Sequence, residues 1–210
     1  MHLARGAVPA YHRGVARRSR VPDLSKRCQR CMLLPEVCLC ADIPPVETRT
    51  RFVILRHASE RNRSTNSARW AALALGCEVL DYGAPGKSPS LDGLAAPGTW
   101  VLFPSRAPAP AGLGPPDRVV VLDGSWSQAR RMIQRVPALR DLPRLSIAEA
   151  PQVPSTAPRL RRPPLAEGMS TIEAMASALA ALHEPGPAAA LERVHALARE
   201  RVWRLRGVLG

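Results

Sequence analysis

Four short runs of this chain are mostly apolar at consecutive positions rather than at alternating ones: RFVILR (51–56), EVLD (78–81), WVLF (100–103) and RVVVL (118–122). A strand with one wet face alternates apolar and polar residues, whereas a strand apolar throughout must be covered on both faces. Segments of helical spacing at 64–75, 125–135, 170–183 and 188–206 supply that cover. Short two-faced strands alternating with helices imply an α/β fold on a mainly parallel sheet.

Glycine and proline mark the boundaries. Gly76 directly follows the 64–75 periodicity and reads as its C-cap. Residues 83–98 and 106–117 are Gly/Pro-rich loops, Leu145 to Ala148 reads as a fifth strand, and 149–168 carries too many prolines for regular structure. At 210 residues, 46% of them hydrophobic, the chain can bury one core with a small appendage. The expected division is a basic, disordered arm over 1–26, a cysteine knuckle over 27–45 and one α/β domain over 46–210. No apolar run is long enough to span a membrane. The start has no apolar signal core; an Arg-rich leader reads as a basic arm or, alternatively, a transit peptide, and a cytoplasmic location is expected.

The net charge of +13 points to a polyanionic partner. Arginine supplies nearly all of it, with Lys26 and Lys87 the only lysines. A GC-rich coding bias accounts for arginine over lysine but not for the excess of basic over acidic residues. The charge is uneven: residues 1–30 carry a net +7 and residues 118–162 a net +6. Nucleic acid is the expected partner, and guanidinium forks suit its phosphates. No obligate protein partner is inferred.

Four of the five cysteines fall within thirteen residues, as Cys28-Gln-Arg-Cys31 and Cys38-Leu-Cys40. Thiolates at such spacings can reach one tetrahedral ion, and a structural zinc would organise a segment too short to build its own core. Disulfides in a secreted domain are the competing reading, disfavoured by the missing signal peptide. Cys77 stands apart and reads as a small core residue.

The run VVVLDGSWSQARRM (119–132) ends an apolar strand with an acid, a glycine and an aromatic, then enters a helix. In parallel α/β sheets ligands gather at the carboxyl ends of strands, so Asp123 sits where a ligand would. Gly124 removes bulk, leaving room for a ligand to approach the backbone. A structural reading stands beside this: Ser125-x-x-Gln128 is a capping box, and Asp123 and Trp126 then have only generic roles. Two further polar turns open helices, Arg56-His57-Ala-Ser-Glu60…Ser64-Thr65-Asn66-Ser67 and Gly168-Met-Ser170-Thr171-Ile-Glu173. The second also fits a capping box, and His57 is assigned no role. Three such turns in one small α/β domain converge on a single cleft.

Together these blocks resemble the DTW-domain proteins, the tRNA-uridine aminocarboxypropyltransferases. The likeness is carried by the cysteine knuckle, the His57…Glu60…Ser64-Thr65-Asn66 block and Asp123-Gly124-Ser125-Trp126 with Gln128 and Ala129. Pro104-Ser105 and Ser170 to Ala174 extend it over roughly residues 28–183. Ser125 stands where the family name has threonine, and Arg159-Leu-Arg161-Arg162 lacks the tyrosine of the corresponding family segment.

The resemblance implies a SPOUT-like fold with a C-terminal trefoil knot that grips S-adenosylmethionine. It also implies transfer of the 3-amino-3-carboxypropyl group to N3 of a tRNA uridine, releasing 5′-methylthioadenosine. Asp123 is then the expected general base, with Ser125 and Trp126 beside it in the catalytic turn. Trp126 would wall the cofactor pocket and Ser64 and Thr65 would hold its methionine tail. Pro104, Ser105, Leu145, Ser170 and Thr171 would line the adenosine side, with Gly124 and Glu173 in the same site. Arg61, Arg63, Arg130, Arg131 and Arg135, with Arg159, Arg161 and Arg162, would meet RNA phosphates. Two rival readings remain: a SPOUT-type RNA methyltransferase and a non-catalytic zinc-dependent RNA-binding protein.

Overall fold

A computed structural model describes residues 23–86, 90–105, 112–147, 160 and 168–207. Its five strands are β1 (Arg51–His57), β2 (Glu78–Tyr82), β3 (Thr99–Leu102), β4 (Arg118–Asp123) and β5 (Arg144–Leu145). They form one sheet in the order β2-β1-β4-β3-β5, and every pairing is parallel. Five helices accompany them: α1 (Ser67–Leu75), α2 (Trp126–Arg135), α3 (Pro137–Arg140), α4 (Thr171–Ala181) and α5 (Pro185–Leu205).

The consecutive apolar residues do serve two faces. Phe52, Ile54, Val119 and Val121 pack into a core with α1, α4 and α5. Their neighbours Val53, Leu55, Val101 and Val120 pack with Met132 and Ile133 of α2 and Leu139 of α3 on the opposite face. Because α1 follows β1 and α2 follows β4, helices leave two adjacent strands toward opposite faces. The register pairs Arg56 with Asp123 at that point. A crevice opens where adjacent connections diverge in this way, outside the carboxyl ends of the strands.

Several boundaries differ from those expected. The first helix begins at Ser67 rather than 64, because the Asn66 side chain accepts from Arg69 N and caps it. The last begins at Pro185 rather than 188: proline is tolerated in a first helical turn, whose N–H groups lack intrahelical partners. The fifth strand is Arg144–Leu145, and Ala148 lies outside the described residues. The end of the expected disordered arm is ordered, with Leu24–Lys26 forming a 3-10 turn capped by the Asp23 carboxylate. Residues 1–22 lie outside the described set. Trp203 is half-buried, with the Arg206 guanidinium 5.0 Å from its ring centre. Between β5 and α4 only Ile147, Leu160 and Gly168 to Ser170 of the connecting segment beyond Ser146 are described, so the knot stays an expectation of the resemblance.

The knuckle joins the main core. Cys31, Leu33, Val37 and Leu39 pack in the same cluster as Trp70 and the apolar face of α5. Leu33 and Leu39 are 2% and 0% exposed, and each such burial stabilises by roughly 1.5–3 kcal/mol. The linker is fastened too: Val46 N donates to Ala74 O of α1 at 2.8 Å, and Glu184 accepts from Arg49 N and Thr50 N at 2.7 and 3.1 Å.

Candidate functional site

Asp123 ends β4 at the centre of the crevice and is 4% exposed. Asn66 Nδ2 donates to one carboxylate oxygen at 2.6 Å, and Thr171 Oγ1 donates to the other at 2.8 Å. Asn66 thus has two duties, since its Oδ1 accepts from Arg69 N at 2.8 Å to cap α1. One carboxylate ties together the start of α1, the start of α4 and the end of β4. Burial holds Asp123 above the ordinary carboxylate range, outweighing the two donated hydrogen bonds that favour its anion. A carboxylate whose proton affinity is raised, at a strand end, is suited to accept a proton from a ligand.

The residues after Asp123 explain the turn. Ser125 and Gln128 form both halves of the capping box: Gln128 N donates to Ser125 Oγ at 3.3 Å and Ser125 N to Gln128 Oε1 at 2.8 Å. The other end of the Gln128 amide lies 3.1 Å from both His57 Nδ1 and Ser59 Oγ. His57 therefore braces the end of β1 against α2. A Cβ on Gly124 would lie 3.0 Å from Gln128 Oε1 and 3.4 Å from His57 Cβ. A side chain at Gly124 would meet these two neighbours, and the glycine itself borders both cavities.

Two cavities meet at this turn. A polar one of about 290 Å³ is bordered by the Thr65–Ser67 turn, Asp123 to Trp126, Gly168 to Thr171 and Glu173. A more apolar one of about 160 Å³ lies between Phe103, Pro104, Ile147, Met169 and Ala174. Gly124, Trp126, Met169, Ser170 and Thr171 border both. Trp126 is 37% exposed and meets Phe103 edge-on, with ring centres 6.2 Å apart. An exposed indole forming a shared wall is not a core aromatic.

Most of the expected site residues converge here, with corrections. Thr65 borders the polar cavity, but Ser64 does not. Pro104 borders the apolar cavity, whereas Ser105 and Leu145 border neither; Phe103 and Ile147 take those places. Glu173 accepts from Ser170 N at 2.7 Å as part of the α4 cap, and its other oxygen lies 3.8 Å from His195 Nδ1. Arg63 stays exposed, borders the rim of the polar cavity and pairs with Glu60 at 3.0 Å. Arg61 is held by Asp81 at 2.7 Å. Arg130, Arg131 and Arg135 are exposed on α2. Arg159, Arg161 and Arg162 lie outside the described residues.

Sequence reading missed Glu60, Asn66, Trp70, Met169, His195 and Arg199 as cavity residues. His195 and Arg199 lie on α5, far from any turn signal. Glu60 and Asn66 were visible in a polar block but without a partner to give them a role.

At the back of the site the four knuckle sulfurs lie within 4.8 Å of one another. Cys28 and Cys40 Sγ are 3.5 Å apart and Cys31 and Cys38 Sγ 3.7 Å. Tetrahedral metal–sulfur bonds of about 2.3 Å place sulfurs about 3.8 Å apart, so the cluster fits such an ion. Burial pushes the Cys40 thiol up to about 12, so a bound cation is what would let it serve as a thiolate.

The fold and site define a doubly wound α/β protein with a buried acid at its switch point and a four-cysteine metal-type knuckle packed behind it. Residues 25–202 match the DTW domain, and the chain belongs to that family. It is 30% identical over 185 aligned residues to tRNA-uridine aminocarboxypropyltransferase 2 of Drosophila melanogaster, covering 77% of this chain and 68% of that one. No solved structure matches it.

Proposed function

We propose that this protein transfers the 3-amino-3-carboxypropyl group of S-adenosylmethionine to N3 of a uridine in tRNA, releasing 5′-methylthioadenosine. The observation that carries the reading is the buried Asp123 carboxylate on the wall of the larger cavity, next to Gly124 and hydrogen-bonded to Thr171, two residues that border both cavities. The relative's name supplies the reaction class. A ligand with a flat apolar end and a charged end matches two joined cavities of which only the larger carries charged side chains. The adenosine end suits the apolar pocket beside Phe103, Pro104 and Ile147. The amino-acid end suits the polar cavity, where Arg63, Arg199 and His195 face Glu60 and Glu173.

In this reaction Asp123 takes the N3 proton, the nitrogen pair forms a bond to the γ-carbon of the methionine chain, and the carbon–sulfur bond breaks toward sulfur. Since the sulfonium is already cationic, its departure needs little acid assistance. Asn66 and Thr171 hold the Asp123 carboxylate in place, so orientation supplies much of the rate. Trp126 walls the reacting region from bulk water on one side. The uridine must be unpaired or extruded to reach the crevice. Arg130, Arg131 and Arg135 on the exposed face of α2 meet phosphates of the tRNA, and the knuckle holds a structural zinc ion.

The experiment is nucleoside mass spectrometry of tRNA after incubation with the protein and S-adenosylmethionine labelled in its methionine chain. The expected product is a uridine carrying the labelled aminocarboxypropyl group. A product carrying only a methyl group would establish the methyltransferase reading instead.

A further inference from the structure

The knuckle does more than sit behind the crevice: two side chains of the surrounding helices end on the backbone of its cysteines. Trp70 Nε1 of α1 donates to the Cys31 carbonyl at 3.3 Å. Arg201 of α5 donates to the Cys38 carbonyl, and its Nη2 pairs with Asp42 just past the knuckle at 2.7 Å. The same elements line the polar cavity. Trp70 itself borders it, as do His195 and Arg199, which lie on α5 within two turns of Arg201.

The knuckle backbone is held by a few turn hydrogen bonds, among them Cys28 N to Leu33 O at 2.9 Å and Met32 N to Cys28 O at 2.8 Å, and has little regular structure. Its only regular element is a 3-10 turn at Pro35–Val37. Met32, next to Cys31, has a φ of +62°, a left-handed conformation that a side-chain-bearing residue keeps only when its surroundings hold it there. Four sulfurs converging on one ion would provide that constraint and so fix the two carbonyls.

We infer that the knuckle anchors the cofactor cleft. With metal bound, the Cys31 and Cys38 carbonyls set the positions of Trp70 and of the α5 segment carrying His195 and Arg199. Without it, the cleft loses affinity for its small-molecule ligand while the sheet stays folded. Trp70 and Arg201 are positioning residues, acting through the cavity wall rather than on the reacting atoms. The identity of the ligand rests on the proposed function.

The test uses the full chain labelled with ¹⁵N-tryptophan, whose four indoles include Trp70; the Trp70→Phe variant assigns its signal. Metal removal by a chelator is expected to shift or broaden the Trp70 indole resonance and to speed amide exchange around His195 to Arg201 at least tenfold. Amides of Val119 to Val121 in β4 should stay protected. The Kd for S-adenosylmethionine should rise about tenfold, the worth of one net hydrogen bond. Trp70→Phe, still loaded with one metal ion per chain, should lose part of that affinity, and chelation should then cost less than in the wild type because only the Arg201 anchor remains to be released. Arg201→Lys, also loaded, provides a second variant and should speed exchange in the same α5 segment.

An unmoved Trp70 resonance with unchanged α5 exchange on metal removal overturns the inference, as does wild-type affinity in loaded Trp70→Phe. Loss of β4 protection on chelation also overturns it, because the effect would then be global. Failure of the metal-loaded wild type to bind S-adenosylmethionine defeats the proposed function alone; the resonance and exchange readouts still decide the anchor.

Discussion

Replacing Thr171 with valine gives a direct test of Asp123 as the base, because it removes one donor to the carboxylate with almost no change in shape. That donor sits 2.8 Å from Asp123 Oδ1 at a residue 4% exposed. A buried hydrogen bond to a charged group contributes about 1.5–3 kcal/mol. With 1.36 kcal/mol per tenfold change, the ionised form becomes about 10- to 150-fold harder to reach. Burial already holds this carboxyl above its ordinary range, and losing the donor moves it further in the same direction. Aminocarboxypropyl transfer should therefore fall by that factor on the acid side of the pH profile and recover as the pH rises. The assay is kcat/KM for tRNA by nucleoside mass spectrometry from about pH 5 to about pH 9. Thr171→Ser, which keeps the hydroxyl, should follow the wild-type profile.

Stability gives an independent readout. A carboxyl raised by folding binds its proton more tightly in the native state, so stability falls as the pH climbs from the unfolded value through the folded one. Thr171→Val should accordingly be destabilised at neutral pH but much less so below the unfolded carboxylate value. An equal loss of transfer at every pH would refute the reasoning, since Thr171 would then act on the ligand and not through Asp123.

Asp81 behaves in the opposite sense: burial pulls its carboxyl up, but the Arg56 and Arg61 guanidiniums outweigh it and hold it below the ordinary value. Its contribution is present above the unfolded value and lost as pH falls through the folded one, so Asp81→Asn should cost about 3 kcal/mol in neutral urea unfolding, with the gap closing in acid. Gly124→Ala should destabilise by about 1–3 kcal/mol, because the new Cβ crowds the Gln128 side chain and strains its capping-box geometry; a wild-type melting temperature would contradict the packing. Arg130→Glu combined with Arg131→Glu should weaken tRNA binding and flatten its salt dependence while leaving S-adenosylmethionine affinity intact, as filter binding at several salt concentrations would show.

The sheet was legible because Phe52 to Leu55 and Val119 to Val121 are apolar at every position, a pattern that only a doubly covered strand needs. The convergence of three helix starts was legible because each follows a polar turn, two of them with capping boxes at Ser125 and Ser170. What did not show was which donor meets which acceptor. Asn66 lies inside the helix expected over 64–75, and only the fold reveals that it caps α1 and that its free amide faces Asp123. Gly124 was legible as a small residue at a turn, but the packing of Gln128 and His57 against it is a product of the fold. His195 and Arg199 were hidden because they share α5 with Val194, Ala198 and Val202, whose spacing announces only a packed helix.

The hydrogen bond from Arg201 to Cys38 joins residues 163 apart in the chain, and the same late segment supplies Thr171, Glu173, His195 and Arg199 to the crevice. On the ribosome, the sheet and its switch point are made first and the parts that close them last. A chain stopped before α4 has Asp123 without one of its two donors, and Phe52, Ile54, Val119 and Val121 without the two helices that help cover them. Such fragments expose apolar strand surface, the condition that recruits chaperones and proteases, and the order of synthesis makes the crevice one of the last parts of the molecule to form.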